Sequence, residues 1–444
     1  MSEAARSVIK QLGAGLILRR SSPADAEALS ALCGVLHTDG SEESNPYIAA
    51  WTRDLLTRPH PTFHADDFTI VEETATGRIV STLNLISQTW SYEGIEFGVG
   101  RPELVGTRPE FRNRGLIRLQ MEEVHQWSAA RGELVQAITG IPFYYRLFGY
   151  EMALDLDGAR TGFELNVPSL KQGETEAYGF RRATEADIPF IEETYRHGCR
   201  RYPIACIRDR DVWRHEMLDQ SEIYNSLVMI IERTDGEQVG ILRHLPHLAQ
   251  HGPSANLYEL KPGVSWLDVT PSVVRYLWKT GKEYGIRDGI ECSAFTFVLG
   301  EAHPVYEALK EGLPRLHRSY AWYLRVPDLP AFVQHIAPAL ENRLAGSIAV
   351  GYSGEQHISF YREGMRLVFE HGKLTGAEPW QPGPKEQEGD AAFPGLTFLQ
   401  LLFGYRSLEE LKASFADCWW KSDETRAVLE ALFPKKPSQV MPVS

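Results

Sequence analysis

What most constrains the fold of this chain is an internal echo at a spacing of about 160 residues. Leu18-Arg19-Arg20-Ser21-Ser22-Pro23-Ala24-Asp25 returns as Phe180-Arg181-Arg182-Ala183-Thr184-Glu185-Ala186-Asp187. Each reads as a strand end followed by a helix start with a Ser, Thr or Asp near the cap. The apolar run Phe68 to Val71, the turn Thr76-Gly77 and the return Ile79 to Leu83 are matched by Leu227 to Ile231, Asp235-Gly236 and Val239 to Leu242, two hairpins of one pattern. A weaker echo links Tyr145-Arg146-Leu147-Phe148-Gly149-Tyr150 with Tyr306 to Leu313. Two copies of one α/β unit are therefore expected, over residues 1–170 and 171–326. After Pro327 and Pro330 the pattern changes, and residues 327–444 read as a third α/β unit. It has a helix over Ala331 to Leu344, short strands around Ser347 to Val350, Gln356 to Tyr361 and Met365 to Phe369, and helices over Leu396 to Phe403, Ser407 to Phe415 and Ser422 to Leu432. Pro379 to Asp390 reads as an exposed loop, and the last residues, with Pro434, Pro437 and Pro442, as an extended tail.

The 444 residues give room for roughly three domains at about 150 each. Acidic residues outnumber basic ones 59 to 46, a net charge of −13, which argues against nucleic acid or an anionic membrane as partner and permits a cationic substrate. The five cysteines never form a CxxC pair, so neither a disulfide framework nor a cysteine zinc site is expected. No stretch approaches about 18 apolar residues and the N-terminus lacks a signal-like apolar core, so the expectation is a soluble, cytoplasmic protein. His244, His247 and His251 have helical ligand spacing, but Pro246 interrupts them and no acid completes the set; His60, His64 and Asp66 fail likewise, and no metal site is expected.

The chemically informative segment is Leu104-Val105-Gly106-Thr107-Arg108-Pro109-Glu110-Phe111-Arg112-Asn113-Arg114-Gly115-Leu116-Ile117. A strand ends near Thr107, a basic turn follows, and a helix runs from Gly115 to Arg131. Unpaired N–H groups at the positive end of such a helix, with a glycine allowing close approach, suit a pyrophosphate. A second strand, Glu133 to Thr139, leads directly into the aromatic turn Phe143 to Tyr150.

Strand, basic turn, helix, strand and an aromatic turn closing on Gly-Tyr together resemble the core of the GNAT acyl-CoA transferases. In that family an Arg/Gln-x-x-Gly-x-Gly/Ala turn grips the coenzyme A pyrophosphate. Arg112, Asn113, Arg114, Gly115 and Leu116 match it, with Ile117 in the last, usually small, position. The second copy has no such turn before Tyr306. A first GNAT unit with the loop, a second without it, and a third unit bearing Arg366-Leu367-Val368-Phe369, Glu378-Pro379-Trp380 and Leu399-Gln400-Leu401-Leu402-Phe403-Gly404-Tyr405 resemble the enhanced-intracellular-survival (Eis) acetyltransferases. The resemblance implies an α/β (α+β) chain of tandem GNAT folds with mixed sheets, followed by a sterol-carrier-like domain.

It also implies acetyl-CoA as donor and a primary amine, plausibly cationic, as acceptor, with direct transfer and no covalent enzyme intermediate. The backbone of Leu104, Val105, Gly106 and Thr107, with Thr139 and Gly140 opposite, would hold the pantetheine arm, and Arg112 to Ile117 the pyrophosphate. Tyr145 would protonate the departing thiolate, with Tyr144 as the alternative; the terminal carboxylate of Ser444 would be the base. Asp39, Glu42, Glu43, Tyr47 and Trp51 border the acceptor region in such folds and stay open as surface or packing residues. The same resemblance implies a homo-oligomer, a hexamer. Two other readings stay open: a lipid-binding protein built on the third domain with a GNAT scaffold, and acyl transfer from another thioester or to a protein lysine.

Overall fold

A computed structural model describes residues 8–38, 43–221, 223–383 and 389–443. The first unit consists of β1 (Val8–Gly13), β2 (Leu16–Arg20), α1 (Ala26–Leu36), α2 (Pro46–Thr57), β3 (Phe68–Glu73), β4 (Arg78–Tyr92), β5 (Ile95–Thr107), α3 (Leu116–Ala130), β6 (Val135–Ile138) and β7 (Glu151–Leu156). α2 starts where Asn45 accepts from the Tyr47 and Ile48 N–H groups and Pro46 fills the first helical position, which needs no donor. Gly77, at φ 68°, makes the tight β3–β4 turn.

The strands lie in the order β1-β2-β3-β4-β5-β6, then Tyr320–Arg325, then β7. The β5–β6 pair is parallel and its neighbours antiparallel. α1 and α2 cover one face, where Leu29, Leu32, Leu55 and Leu56 pack on Phe68, Ile70 and Ile86. α3 covers the other with Met121, Val124 and Trp127 against Leu83 and Leu85. The alternation of β4 sends neighbouring residues to opposite faces.

The second sheet repeats the plan in the order Arg315–His317, Ala159–Phe163, Ala294–Phe297, Ser254–Leu260, Gln238–His244, Leu227–Arg233, Tyr178–Arg182. Helices Ile188–Cys199 and Trp266–Asp288 pack on its two faces. The sequence echo has a three-dimensional cause. Arg19 at the end of β2 bridges Asp25 at the helix start and Glu72 on the next strand, and Arg181 does the same with Asp187 and Glu232. The two sheets also exchange strands, since Ala159–Phe163 lies in the second and Tyr320–Arg325 in the first.

The third unit is a five-stranded sheet, ordered Lys373–Trp380, Gly364–Glu370, Gly354–Ser359, Ala391–Ala392, Trp419–Trp420, with helices on it. Its core runs on into the first sheet through Trp90, Tyr92 and Phe97. Three local expectations are corrected. Pro379 and Trp380, expected to open an exposed loop, end the strand Lys373–Trp380, where they pair with Met365 and Gly364; a proline is tolerated there because the strand is at the sheet edge. The helix over Ala331 to Leu344 is two, Leu329–His335 and Ala337–Ala345, because Pro338 has no N–H to return to the preceding turn. Ser347 to Val350 forms turns rather than a strand, since Ser347 Oγ donates to the Leu344 carbonyl and accepts from the Ala349 N–H. Among the described residues no helix is long and apolar enough to cross a membrane.

Candidate active site

β5 and β6 pair only through Val99–Val135 and Gly100–Gln136, so the strands part beyond Gly100. On its other edge β5 carries a bulge: Gly106 faces Thr82 and Glu103 faces Asn84, leaving Leu104 and Val105 opposite Leu83 alone. Leu104 sits at φ 52°, a left-handed conformation unusual for a leucine, with its side chain buried in the α1–α2 core. The backbone from Glu103 to Thr107 therefore faces the gap with no strand beside it.

That gap opens into a cleft of about 810 Å³. Its walls bring together every cofactor-site residue named from the sequence: Leu104, Val105, Gly106, Thr107, Arg112, Asn113, Arg114, Gly115, Leu116, Ile117, Thr139 and Gly140, with Tyr144 and Tyr145 beside them. Gly115, at φ 73°, precedes α3 without a side-chain cap, no acid lies in the helix's first turn, and a Cβ there would meet nothing within 4 Å. The first N–H groups of α3 thus remain without partners in the helix. Arg112, Arg114 and Arg118 line the cleft, and among the described residues none of them pairs with a carboxylate. Arg112 Nε donates to the Thr107 carbonyl (3.2 Å), and Arg114 lies over the Phe111 ring. Sequence reasoning passed over Arg118 and Glu103; the signal for Arg118 is its place three residues after Gly115, one turn into the helix.

Tyr145 is 6% exposed and stands among Tyr144, Tyr150 and Tyr323, the last reaching in from the exchanged strand. A Cβ on Gly140 would lie 2.7 Å from its ring and 3.2 Å from its hydroxyl, so only glycine lets the phenol lie against that backbone. Burial, reinforced by the Glu103 charge, pushes the Tyr145 phenol well above its ordinary value, so it holds its proton.

The described part of the tail reaches the first sheet at Val443. Gln88 Nε2 (3.0 Å) and Arg101 Nη1 (2.8 Å), on the α1–α2 face of β4 and β5, both donate to the Val443 carbonyl. Ser444 lies outside the described residues, as do Asp39 and Glu42. Tyr47 is exposed and packs on His247, and Trp51 lies under the Arg101 guanidinium. His244 is a buried core residue held between the Leu245 carbonyl and the Tyr276 hydroxyl. Among the described residues no group of three or more His, Cys, Asp or Glu side chains could hold a metal.

Residues 35–153 match the acetyltransferase (GNAT) domain family. Within the first unit, residues 35–153 are a GNAT acetyltransferase domain. No curated protein matches the sequence. The likeness in fold extends far beyond the GNAT domain. A GCN5-related N-acetyltransferase from Kribbella flavida superposes with a TM-score of 0.64 at 17% identity, over 97% of this chain and 98% of that one. One from Anabaena variabilis gives 0.62 at 13% identity over 96% and 99%. Eis1 from Mycobacterium abscessus gives 0.59 at 14% identity, also over 96% and 99%.

Against this GNAT domain the second copy is closed. Its corresponding helix is capped by Ser265 and carries Asp268 in the first turn, which satisfies an N–H and repels an anion. Its tyrosine, Tyr306, donates to the Phe297 carbonyl (3.0 Å) and accepts from the Leu299 N–H (3.2 Å). A cavity of about 30 Å³ remains there, and Gln439 and Met441 of the tail help line it.

Proposed function

We propose that this protein is an Eis-like N-acetyltransferase that moves an acetyl group from acetyl-CoA directly onto a primary amine. The observation that carries the reading is the basic, uncapped start of α3 at the mouth of a cleft of about 810 Å³ between diverging parallel strands. Its residues fit the donor: Gly115 leaves the helix start open, and Arg112, Arg114 and Arg118 bring three charges, with no carboxylate partner among the described residues, into a chain whose net charge is −13. Arg112 to Ile117 would hold the pyrophosphate, and Leu104 to Thr107 with Thr139 and Gly140 the pantetheine arm. Acetyl-CoA, when bound, supplies the activated acyl group.

The residues of the chain then do four things. The open backbone edge at the Leu104 bulge offers N–H groups to a carbonyl that gains negative charge. The strand edges orient the donor, which makes the reaction effectively unimolecular. Tyr145 keeps its proton at the phenol oxygen, ready for a sulfur that leaves as thiolate. The carboxylate of Ser444 takes the proton of the amine. Support for that last role is the anchoring of Val443 by Arg101 and Gln88 within the α1–α2 face. We assign the protein to the cytoplasm, as free thiols at all five cysteines suit, and to a homo-oligomer, the hexamer of the resembled family.

A second cavity of about 580 Å³ in the third unit, walled by Phe360, Trp380 and Phe398, is what favours the lipid-binding alternative. A scaffold would have no need of an open, basic helix start, and the closed second copy illustrates what a GNAT fold becomes without one.

The test is free-thiol release from acetyl-CoA with a panel of amines. Turnover is expected for the intact chain and is expected to fall with Tyr145→Phe and with removal of Pro442 to Ser444. Undiminished turnover in both would refute the assigned roles, and no coenzyme binding by the intact chain would refute the function.

A further inference from the structure

The second GNAT-like unit has lost its cleft, yet it keeps a fully buried arginine whose hydrogen bonds reach the far end of the chain. Arg208 donates from Nη1 to the Met441 carbonyl and from Nη2 to the Pro442 carbonyl, both at 2.7 Å. Its side chain is 0% exposed and is held in turn by Glu216 (3.1 Å) and the Tyr195 hydroxyl (3.0 Å). Arg243, also buried, stands 3.7 Å from Glu216 with Nη1 3.0 Å from the Met441 sulfur. Arg101 and Gln88 of the first unit take the next carbonyl, that of Val443. Three successive tail carbonyls, at 441, 442 and 443, thus each meet a buried guanidinium.

This arrangement has the features of a peptide-binding site. Main-chain acceptors receive charge-assisted donors, and side chains fill pockets between them: Val440 and Val443 are 3% and 1% exposed, and Gln439 and Met441 line the small remnant of the second unit's cleft. Glu216 and the Tyr195 hydroxyl, both outside the tail, fix the orientation of the Arg208 guanidinium. Two arginines face one glutamate here, so the cluster has a positive excess that carbonyl oxygens complement.

We propose that the second unit is a receptor for the chain's own C-terminal segment, Gln439 to Val443, and that Arg208 is the positioning residue that directs the end of the chain toward the first unit's site. The functional arm of this inference rests on the proposed transfer reaction; the binding arm stands without it.

Two experiments test it. In the full chain, Arg208→Met should speed amide exchange across the tail at least about tenfold, as expected for loss of two charge-assisted hydrogen bonds. It should also lower kcat while leaving coenzyme A affinity unchanged. In a chain ending at Ser438, the synthetic hexapeptide Gln-Val-Met-Pro-Val-Ser should bind by calorimetry and restore thiol release, and Arg208→Met in that background should abolish its binding. The same peptide with an amidated C-terminus should bind but not restore turnover. Restoration by the amidated peptide would refute Ser444 as base while upholding the receptor. Unchanged tail exchange and turnover in full-length Arg208→Met would overturn the receptor, even if the truncated chain fails to fold. So would failure of a folded truncated chain to bind either peptide.

Discussion

The two copies of the strand-end arginine offer a controlled comparison of one interaction at two depths. Arg19 makes four short bonds, to Glu72 through Nε (2.8 Å) and Nη2 (2.6 Å) and to Asp25 through Nη1 (2.9 Å) and Nη2 (2.7 Å), with its side chain 1% exposed. Arg181 makes three bonds at 2.7 Å, one from Nε to Glu232 and two to Asp187, but its side chain is 39% exposed. Arg19→Met leaves two buried carboxylates without the guanidinium, a loss of about 3–5 kcal/mol. Arg181→Met is screened by water, and Asp187 keeps the Gln238 amide and the Thr184 N–H, so about 1 kcal/mol is expected. The difference should therefore be about 2–4 kcal/mol, read by native-state amide exchange in β2 and in Tyr178–Arg182, which reports each unit separately. Its pH dependence has a definite sign. Arg19 holds the Asp25 carboxyl below its ordinary 3.8 despite burial, so this stabilisation is complete above that pH and fades as the pH falls through the lowered value. The gap between wild type and Arg19→Met should shrink correspondingly in acid. Equal losses for the two substitutions would refute the reasoning that burial sets the magnitude.

Other outcomes follow from the same geometry. Tyr145→Phe should lower kcat by about 10²- to 10⁴-fold with coenzyme A affinity intact, as calorimetry would record. Tyr306→Phe, its counterpart, should leave turnover unchanged and cost about 1–3 kcal/mol in denaturant melts, because the Leu299 N–H and Phe297 carbonyl lose their partner. Arg112→Ala combined with Gly115→Asp should weaken coenzyme A by about 10- to 100-fold or more, through loss of a charged contact and repulsion at the helix start. His125, bonded to the Tyr150 hydroxyl at 2.8 Å, is pushed down to about 4 by burial. The unfolded chain takes up its proton first, so wild type should lose about 3 kcal/mol as the pH falls from 6.5 to 4, a slope that His125→Gln should remove from acid-denaturation curves.

How much of this was legible in the sequence depended on how local the cause was. The Arg19-to-Asp25 echo could be read because one ion pair spans six residues and both copies keep it. The basic loop could be read because Arg112 to Ile117 is contiguous, whereas the parting of the strands beside it was implied only by the family resemblance. The exchange of Ala159–Phe163 for Tyr320–Arg325 could not be: strand partners are chosen by sheet edges that exist only after folding, and neither segment carries a pattern naming its sheet. Nor could Arg208, an arginine in a short loop whose tail partners lie more than 230 residues away. The division of the helix at Ile336 is a local matter of Pro338, whose missing N–H ends the first segment.

The contrast between the copies bears on why a closed unit persists. Both have two parallel strands joined for only two residue pairs, Val99–Val135 and Gly100–Gln136 in the first, Ser254–Thr296 and Ala255–Phe297 in the second. A splayed sheet leaves backbone donors and acceptors that must be satisfied by something. The first copy leaves them facing a cleft of about 810 Å³. The second meets the same need internally, with Tyr306 spanning two backbone groups, Arg201 paired with Glu259 at 2.7 Å, and the tail crossing what remains. A helix start capped by Ser265 and charged by Asp268 has no use for phosphate, but a collapsed cleft beside a buried arginine is a firm seat for an extended chain. The closed cleft and the seated tail then belong to one packing arrangement, and reopening the second cleft should release the tail, read as faster amide exchange from Gln439 to Val443.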